Sequence, residues 1–158
     1  MKILLAIMLL GLASVGCMSL PAGVSVRVTD DGCNSQGVCP WGGDDPRNWY
    51  DAGTREIILA PGQSLKVLAH EGCHAHQHQV ILTEAGEPRP NSHGWFELLE
   101  WLDTTEGIEY AAAIVGLPPL QAHGNILLED FAEACGRYMT GKELDATRTA
   151  FFEERGFK

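Results

Sequence analysis

Basic residues are scarce in this chain. Eleven Lys and Arg stand against 21 Asp and Glu, a formal net charge of −10 at pH 7. A surface so short of positive charge does not gather phosphate backbones or anionic lipid, so nucleic-acid and electrostatic membrane partners are excluded. Long apolar runs are missing too. Ile3 to Leu12 is apolar, but it is far shorter than the roughly 20 residues a transmembrane helix needs. Repeats and low-complexity tracts are absent. Disorder is excluded from the other side, because 45% of residues are hydrophobic and 20% charged, which are ordinary globular values. The 158 residues suffice for one domain with one core and do not suffice for two.

What is present begins with a leader. Met1-Lys2 starts the chain with a positive charge, Ile3 to Leu12 follows, and small residues Ala13, Ser14 and Gly16 close the segment. That is the three-part layout of a secretory signal over residues 1–17. Its end, Ala13-Ser14-Val15-Gly16-Cys17, resembles the lipobox of bacterial lipoproteins, with Ser14 where Leu is usual. The resemblance implies lipidation at Cys17. Met18, where a retention signal would place Asp, points to the outer membrane. The expectation is an exported protein, lipid-anchored at the outer membrane or else periplasmic or secreted. Its membrane contact is then limited to that anchor.

Five cysteines suit an oxidising compartment: Cys17, Cys33, Cys39, Cys73 and Cys135. With Cys17 lipidated, four remain, and three connectivities are open. Cys33 and Cys39 flank a short polar loop, and their pairing is the first choice. It would pin a weakly structured N-terminal region.

Residues 18–55 read as a strand and a stapled loop. Val24 to Val28 alternates like a strand. Residues 30–54 are rich in Gly, Asp, Asn and Pro, with Trp41, Trp49 and Tyr50 among them, a long loop held by a disulfide and aromatic packing. Residues 56–158 carry the remainder of the same domain. Glu56 to Ala60 predicts a second strand, ended by Pro61-Gly62. Ser64 is placed to cap a helix running to about Leu82. A second helix is predicted from Trp95 to Ile114, with Phe96, Leu99, Leu102 and Ile108 inward and Gly107 as a potential break. Gly116, Pro118 and Pro119 end it. A third helix covers Asn125 to Met139, stopped by Gly141, and a fourth covers Glu143 to Arg155. The fold class expected is α+β: a small sheet followed by a mainly helical domain.

His70-Glu71-Gly72-Cys73-His74 lies on the first helix and has the form HExxH. Histidines at i and i+4 project from one helix face and can share one Zn²⁺. Glu71 sits beside them around the axis, where it can take a proton from a water polarised by the metal. A plain His-rich exposed helix is the competing reading. A catalytic zinc needs a third protein ligand and an open position. The HExxHxxGxxH pattern fails, since Gln77 and Val80 occupy its Gly and His positions. No motif supports a distant Asp. A Glu on a later helix is supported by Leu128-Glu129-Asp130-Phe131-Ala132-Glu133-Ala134.

HEGCH with Glu129-x-x-x-Glu133 downstream resembles the gluzincin group of zinc metallopeptidases. Glu-Asp-Phe-Ala-Glu-Ala is especially similar to the glutamate helix of the lethal-factor-like peptidases, and thermolysin carries a related Glu-x-x-x-Asp. The resemblance covers about residues 56–82 and 125–140. It implies a zincin-like catalytic domain, Glu129 as third zinc ligand, and Glu133 behind the ligands, orienting a motif His through its distal N–H. Two inward carboxylates one turn apart would be costly without a cation, which agrees with that assignment. Both facing solvent is the plainer reading, and Glu133 is the fallback ligand.

Cys73 on the histidine helix and Cys135 on the glutamate helix then come within reach of a disulfide, or pack as small residues at a helix contact. The two readings stand level. His76 is expected on an exposed face, His78 at the site rim or in solvent, and His93 in a surface loop. His123 is the expected oxyanion donor, with Tyr110 and Tyr138 as alternatives. The function expected is a monomeric zinc peptidase acting on peptides or proteins, with Glu71 as general base. Its competitors are an exported non-enzymatic metal-binding protein and a degenerate peptidase fold used as an interaction module.

Overall fold

The computed structural model describes residues 19–40, 48–86, 98–120 and 125–157. The leader with Cys17, and Trp41, His93, Trp95, Phe96 and His123, lie outside the described residues. Among the described residues no helix is long and apolar enough to cross a membrane.

Three short strands form one sheet: β1 (Ser25–Val28), β2 (Trp49–Asp51) and β3 (Glu56–Leu59), in the order β1-β3-β2. β3 is central because Ile57-Ile58-Leu59 is apolar on both faces, and all three side chains are buried. It pairs parallel with β1, Val26 opposite Ile57, and antiparallel with β2, Tyr50 opposite Ile57. β2 falls within the stretch expected to be loop. Asp51 fixes the turn into β3, accepting from the backbone of Gly53 and the hydroxyl of Thr54.

The helices are α1 (Leu65–Glu84), α2 (Thr105–Ala113), α3 (Ile126–Met139) and α4 (Ala146–Glu154). Ser64 precedes α1 in the extended conformation of a cap, but its hydroxyl makes no capping bond. Its carbonyl accepts from Val67 and Leu68 instead. α1 is buried at Ala69, Gly72, Cys73, Ala75, Gln77, His78 and Ile81. It lies between β2 and β3 on one side and α3 on another.

The helix expected over 95–114 is two pieces where it is described. A 3₁₀ turn, Leu99–Asp103, leads into Thr104, which caps α2 by accepting from the Gly107 N–H while donating to the Trp101 carbonyl. The interruption changes the inward face. Leu99 and Ile108 are exposed, and Trp101 and Tyr110 are completely buried in their place. Gly107 does not break the helix. A Cβ there would sit 2.0 Å from the Trp101 carbonyl oxygen, so glycine is required for the close approach. α3 begins at Asn125, whose side chain accepts from Leu128 N–H, and ends as expected before Gly141 at φ 63.

Trp101, Tyr110, Phe131, Phe151 and Phe152 pack ring on ring in the core. Through this cluster runs a buried polar network. Asp130 accepts from Tyr110 Oη, from Arg148 Nε and Nη2, and from the Leu120 backbone. Arg148 also donates to Asp145 and to the Pro118 carbonyl. All of these partners hold α3 at the residue next to Glu129.

Candidate metal centre

α1 and α3 cross closely because small residues meet at the contact. Gly136 faces the His70 backbone, where a Cβ would approach His70 N to 3.1 Å. Cys73 and Cys135 are joined by a disulfide, with Cα atoms 6.1 Å apart. Cys33 and Cys39 are joined as well. Of the two level readings for Cys73 and Cys135, the disulfide is the one observed.

The crossing brings His70, His74 and Glu129 together. His70 Nε2 lies 3.4 Å from one Glu129 oxygen, and His74 Nε2 lies 3.6 Å from the other. One donor atom from each residue fits within 4.8 Å of the others, and among the described residues no other His, Cys, Asp or Glu group does so. Those separations are long for hydrogen bonds. They are close to the spacing of about 3.3–3.4 Å between two donors on a tetrahedral ion with bonds of about 2.0–2.1 Å. Two imidazoles and one carboxylate at these separations can hold a divalent metal ion.

Electrostatics follow from the burial. Glu71 is buried beside this group, and burial raises its pKa, opposed by His74 and His70 and by a hydrogen bond from the Tyr50 backbone. Burial also raises Glu129, but the adjoining His70 and His74 rings outweigh it and leave the carboxyl well below its usual range. Burial lowers His74. The neighbouring Glu129 carboxylate, with the charge of Glu71, carries it net upward.

Glu133 is buried behind His70. One of its oxygens accepts from Lys66 at 2.7 Å and Arg137 at 2.8 Å, and the other lies 3.6 Å from His70 Nδ1. His70 therefore has Glu129 on one ring nitrogen and Glu133 on the other. The two cations hold Glu133 ionised, below its usual pKa despite the burial.

Other expected residues lie elsewhere. His78 is buried and not at a rim, its Nδ1 bonded to Tyr50 Oη at 2.8 Å. His76 is half-buried, pairs with Glu106 and stacks on Phe131. Tyr110 is completely buried and donates to Asp130, which removes it as an oxyanion donor. Tyr138 packs against Phe152. A cavity of about 530 Å³ opens on the opposite face of α1, lined by Leu20, Cys73, His76, Cys135 and Phe157, and none of the metal-site residues borders it. No protein-family profile matches the chain, and neither a curated protein nor a solved structure is detectably similar to it.

Proposed function

We propose that the chain is a zinc-dependent peptidase of the gluzincin kind, with His70, His74 and Glu129 as ligands and Glu71 as general base. One observation carries the proposal. Two Nε2 atoms from one helix converge on the two oxygens of Glu129 from another, at metal-bridging separations, with a buried carboxylate alongside. Bound there, zinc supplies Lewis acidity to a carbonyl oxygen and to water.

The protein's own residues supply the proton traffic. Glu71 takes a proton from water as its oxygen bonds to the carbonyl carbon. It returns a proton to the nitrogen as the C–N bond breaks, leaving an acid and an amine. Burial suits the role, because a carboxylate with a raised pKa holds the proton long enough to deliver it. Glu133, between Lys66 and Arg137, backs His70 and fixes its ring. The two disulfides suit an exported protein.

Elemental analysis of purified wild type, His74→Ala, Glu129→Ala and Glu133→Ala tests the ligand set, with one zinc per wild-type chain expected. A peptide library tests the reaction. Glu71→Gln should keep the metal and lose hydrolysis. Full hydrolysis by Glu71→Gln would sink the mechanism. Tight zinc with no hydrolysis by wild type would favour a metal-binding protein. Tight zinc in Glu129→Ala with loss in Glu133→Ala would move the third ligand one helical turn.

A further inference from the structure

Gln77 is the one amide side chain among the described residues that is completely buried against the proposed metal centre. It lies one turn past His74 on α1. Its Oε1 is 2.8 Å from His74 Nδ1, and its Nε2 donates to the Leu128 carbonyl on α3 at 3.3 Å. Leu128 immediately precedes Glu129. One side chain therefore touches a ligand on one helix and the backbone beside a ligand on the other.

The chemistry of the amide sets the direction of both bonds. A carbonyl oxygen such as Leu128 O can only accept, so the NH₂ end of Gln77 must face it. The oxygen end then faces His74. An oxygen without a hydrogen can only accept, so His74 Nδ1 must carry the proton. A neutral imidazole has one N–H, and Nε2 is left with its lone pair directed at Glu129. With the hydrogen on Nε2 instead, the ring would donate to the Glu129 carboxylate and close the site to a cation.

We infer that Gln77 is the positioning residue that fixes His74 in its metal-ready tautomer and ties that setting to the register of the glutamate helix. The inference rests on the proposed metal centre, and its test separates the two. In metal-free protein at alkaline pH, where the ring is neutral, ¹⁵N–¹H NMR of the histidine side chains should find His74 protonated on Nδ1 and not on Nε2. That measurement needs no metal and stands whether or not zinc is the natural ligand. Zinc affinity by chelator competition is then compared among wild type, Gln77→Met and Gln77→Glu.

Methionine keeps the length and burial but offers an imidazole N–H only a weak thioether acceptor. It should weaken zinc on the order of 10–100-fold, the usual effect of losing such a partner, and should shift His74 toward the Nε2–H form. Glutamate keeps an acceptor for Nδ1–H but loses the donor to the Leu128 carbonyl, so it should weaken zinc less than methionine does and keep His74 in the Nδ1–H form. A role in packing alone predicts the reverse order, with the apolar isostere tolerated and the buried acid not. Should Gln77→Met fail to fold, the wild-type tautomer and the glutamate variant still decide. An Nε2–H His74 in wild type, equal zinc losses in both variants, or unchanged zinc affinity in Gln77→Met would each overturn the inference. Wild type that binds no zinc but shows Nδ1–H would reject the metal centre and leave the tautomer control standing.

Discussion

Burial raises the pKa of Glu71 because a carboxylate loses more hydration than its neighbours restore; His74, His70 and the Tyr50 backbone offset it only in part. The sign of the consequence for stability is fixed by that direction. Below the unfolded-state value of about 4.3, Glu71 is neutral in both states and costs nothing. As pH rises the unfolded chain releases the proton first, so folding stability is lost until the raised folded value is passed. Removing the charge should therefore stabilise the protein at neutral pH. In chelated, metal-free protein, Glu71→Gln is expected to melt a few degrees above wild type at pH 7, with the gain shrinking toward zero near pH 4. In a chain this long about 1 kcal/mol corresponds to about 2–4 °C. A lower melting temperature than wild type at pH 7 would show that the site does not strain this carboxylate. The position of Glu71 was legible from its two flanking histidines. Gln77 and Asp130 were not. Gln77 meets His74 one turn away, but its orientation depends on Leu128, and Asp130 acts through Tyr110, Leu120 and Arg148, all at least ten residues distant. No local pattern announces such a partner.

α1 and α3 were legible as elements for local reasons: Pro61-Gly62 and Ser64 before α1, Gly141 after α3, and apolar spacing within each. β2 was not, because three residues of Trp-Tyr-Asp become a strand only through pairing with β3. The expected helix over 95–114 merged two pieces because Thr104 was not read as a cap and Gly107 was read as a break. The sequence also did not show how closely α1 and α3 approach, which depends on Gly136 lying against the His70 backbone. The Cys73–Cys135 bond staples that approach. Its partners are 62 residues apart, against 6 for Cys33–Cys39. Loop-closure entropy of the unfolded chain then assigns the two bonds about 4 and about 2 kcal/mol. Cys73→Ala/Cys135→Ala is expected to lower the melting temperature by roughly 8–16 °C, and Cys33→Ala/Cys39→Ala by about half that. The long bond should also carry affinity at the proposed centre, since of the two disulfides it is the one between α1 and α3. Calorimetry and zinc competition on both double variants check this. Equal effects, or zinc loss only in Cys33→Ala/Cys39→Ala, would mean the helix contact holds without its disulfide.

At the scale of the whole molecule, the proposed metal centre makes metal binding and folding one equilibrium, because His70 and His74 on α1 meet Glu129 on α3 only in the folded chain. Zinc at about 100 times its Kd should add about 2.7 kcal/mol, or roughly 5–11 °C. That increment has a pH dependence set by whichever ligand holds its proton most tightly. Glu129 does not, since His70 and His74 keep it ionised far below its ordinary range. His74 does: Glu129 and Glu71 raise its pKa against the opposing effect of burial, and zinc must displace that proton. Affinity should be highest at alkaline pH and fall about tenfold per unit for each proton as pH drops through the raised His74 value. The Glu129 contribution to the metal-free fold has the opposite window. A depressed carboxylate stabilises above its unfolded value of about 4.3 and loses that contribution only as pH falls through the folded value. Two separate transitions are therefore expected on acidification. Between pH 8 and pH 5 the zinc increment in melting temperature should shrink toward zero, while the chelated protein keeps the stability that Glu129 provides and gains some as His74 and Glu71 take up protons. The loss of that second contribution should begin near pH 4 and below. Melting curves with excess zinc and with chelator, taken at each pH, read both. A zinc increment unchanged from pH 8 to pH 5 would exclude imidazole ligation, and with it the centre built from His70 and His74.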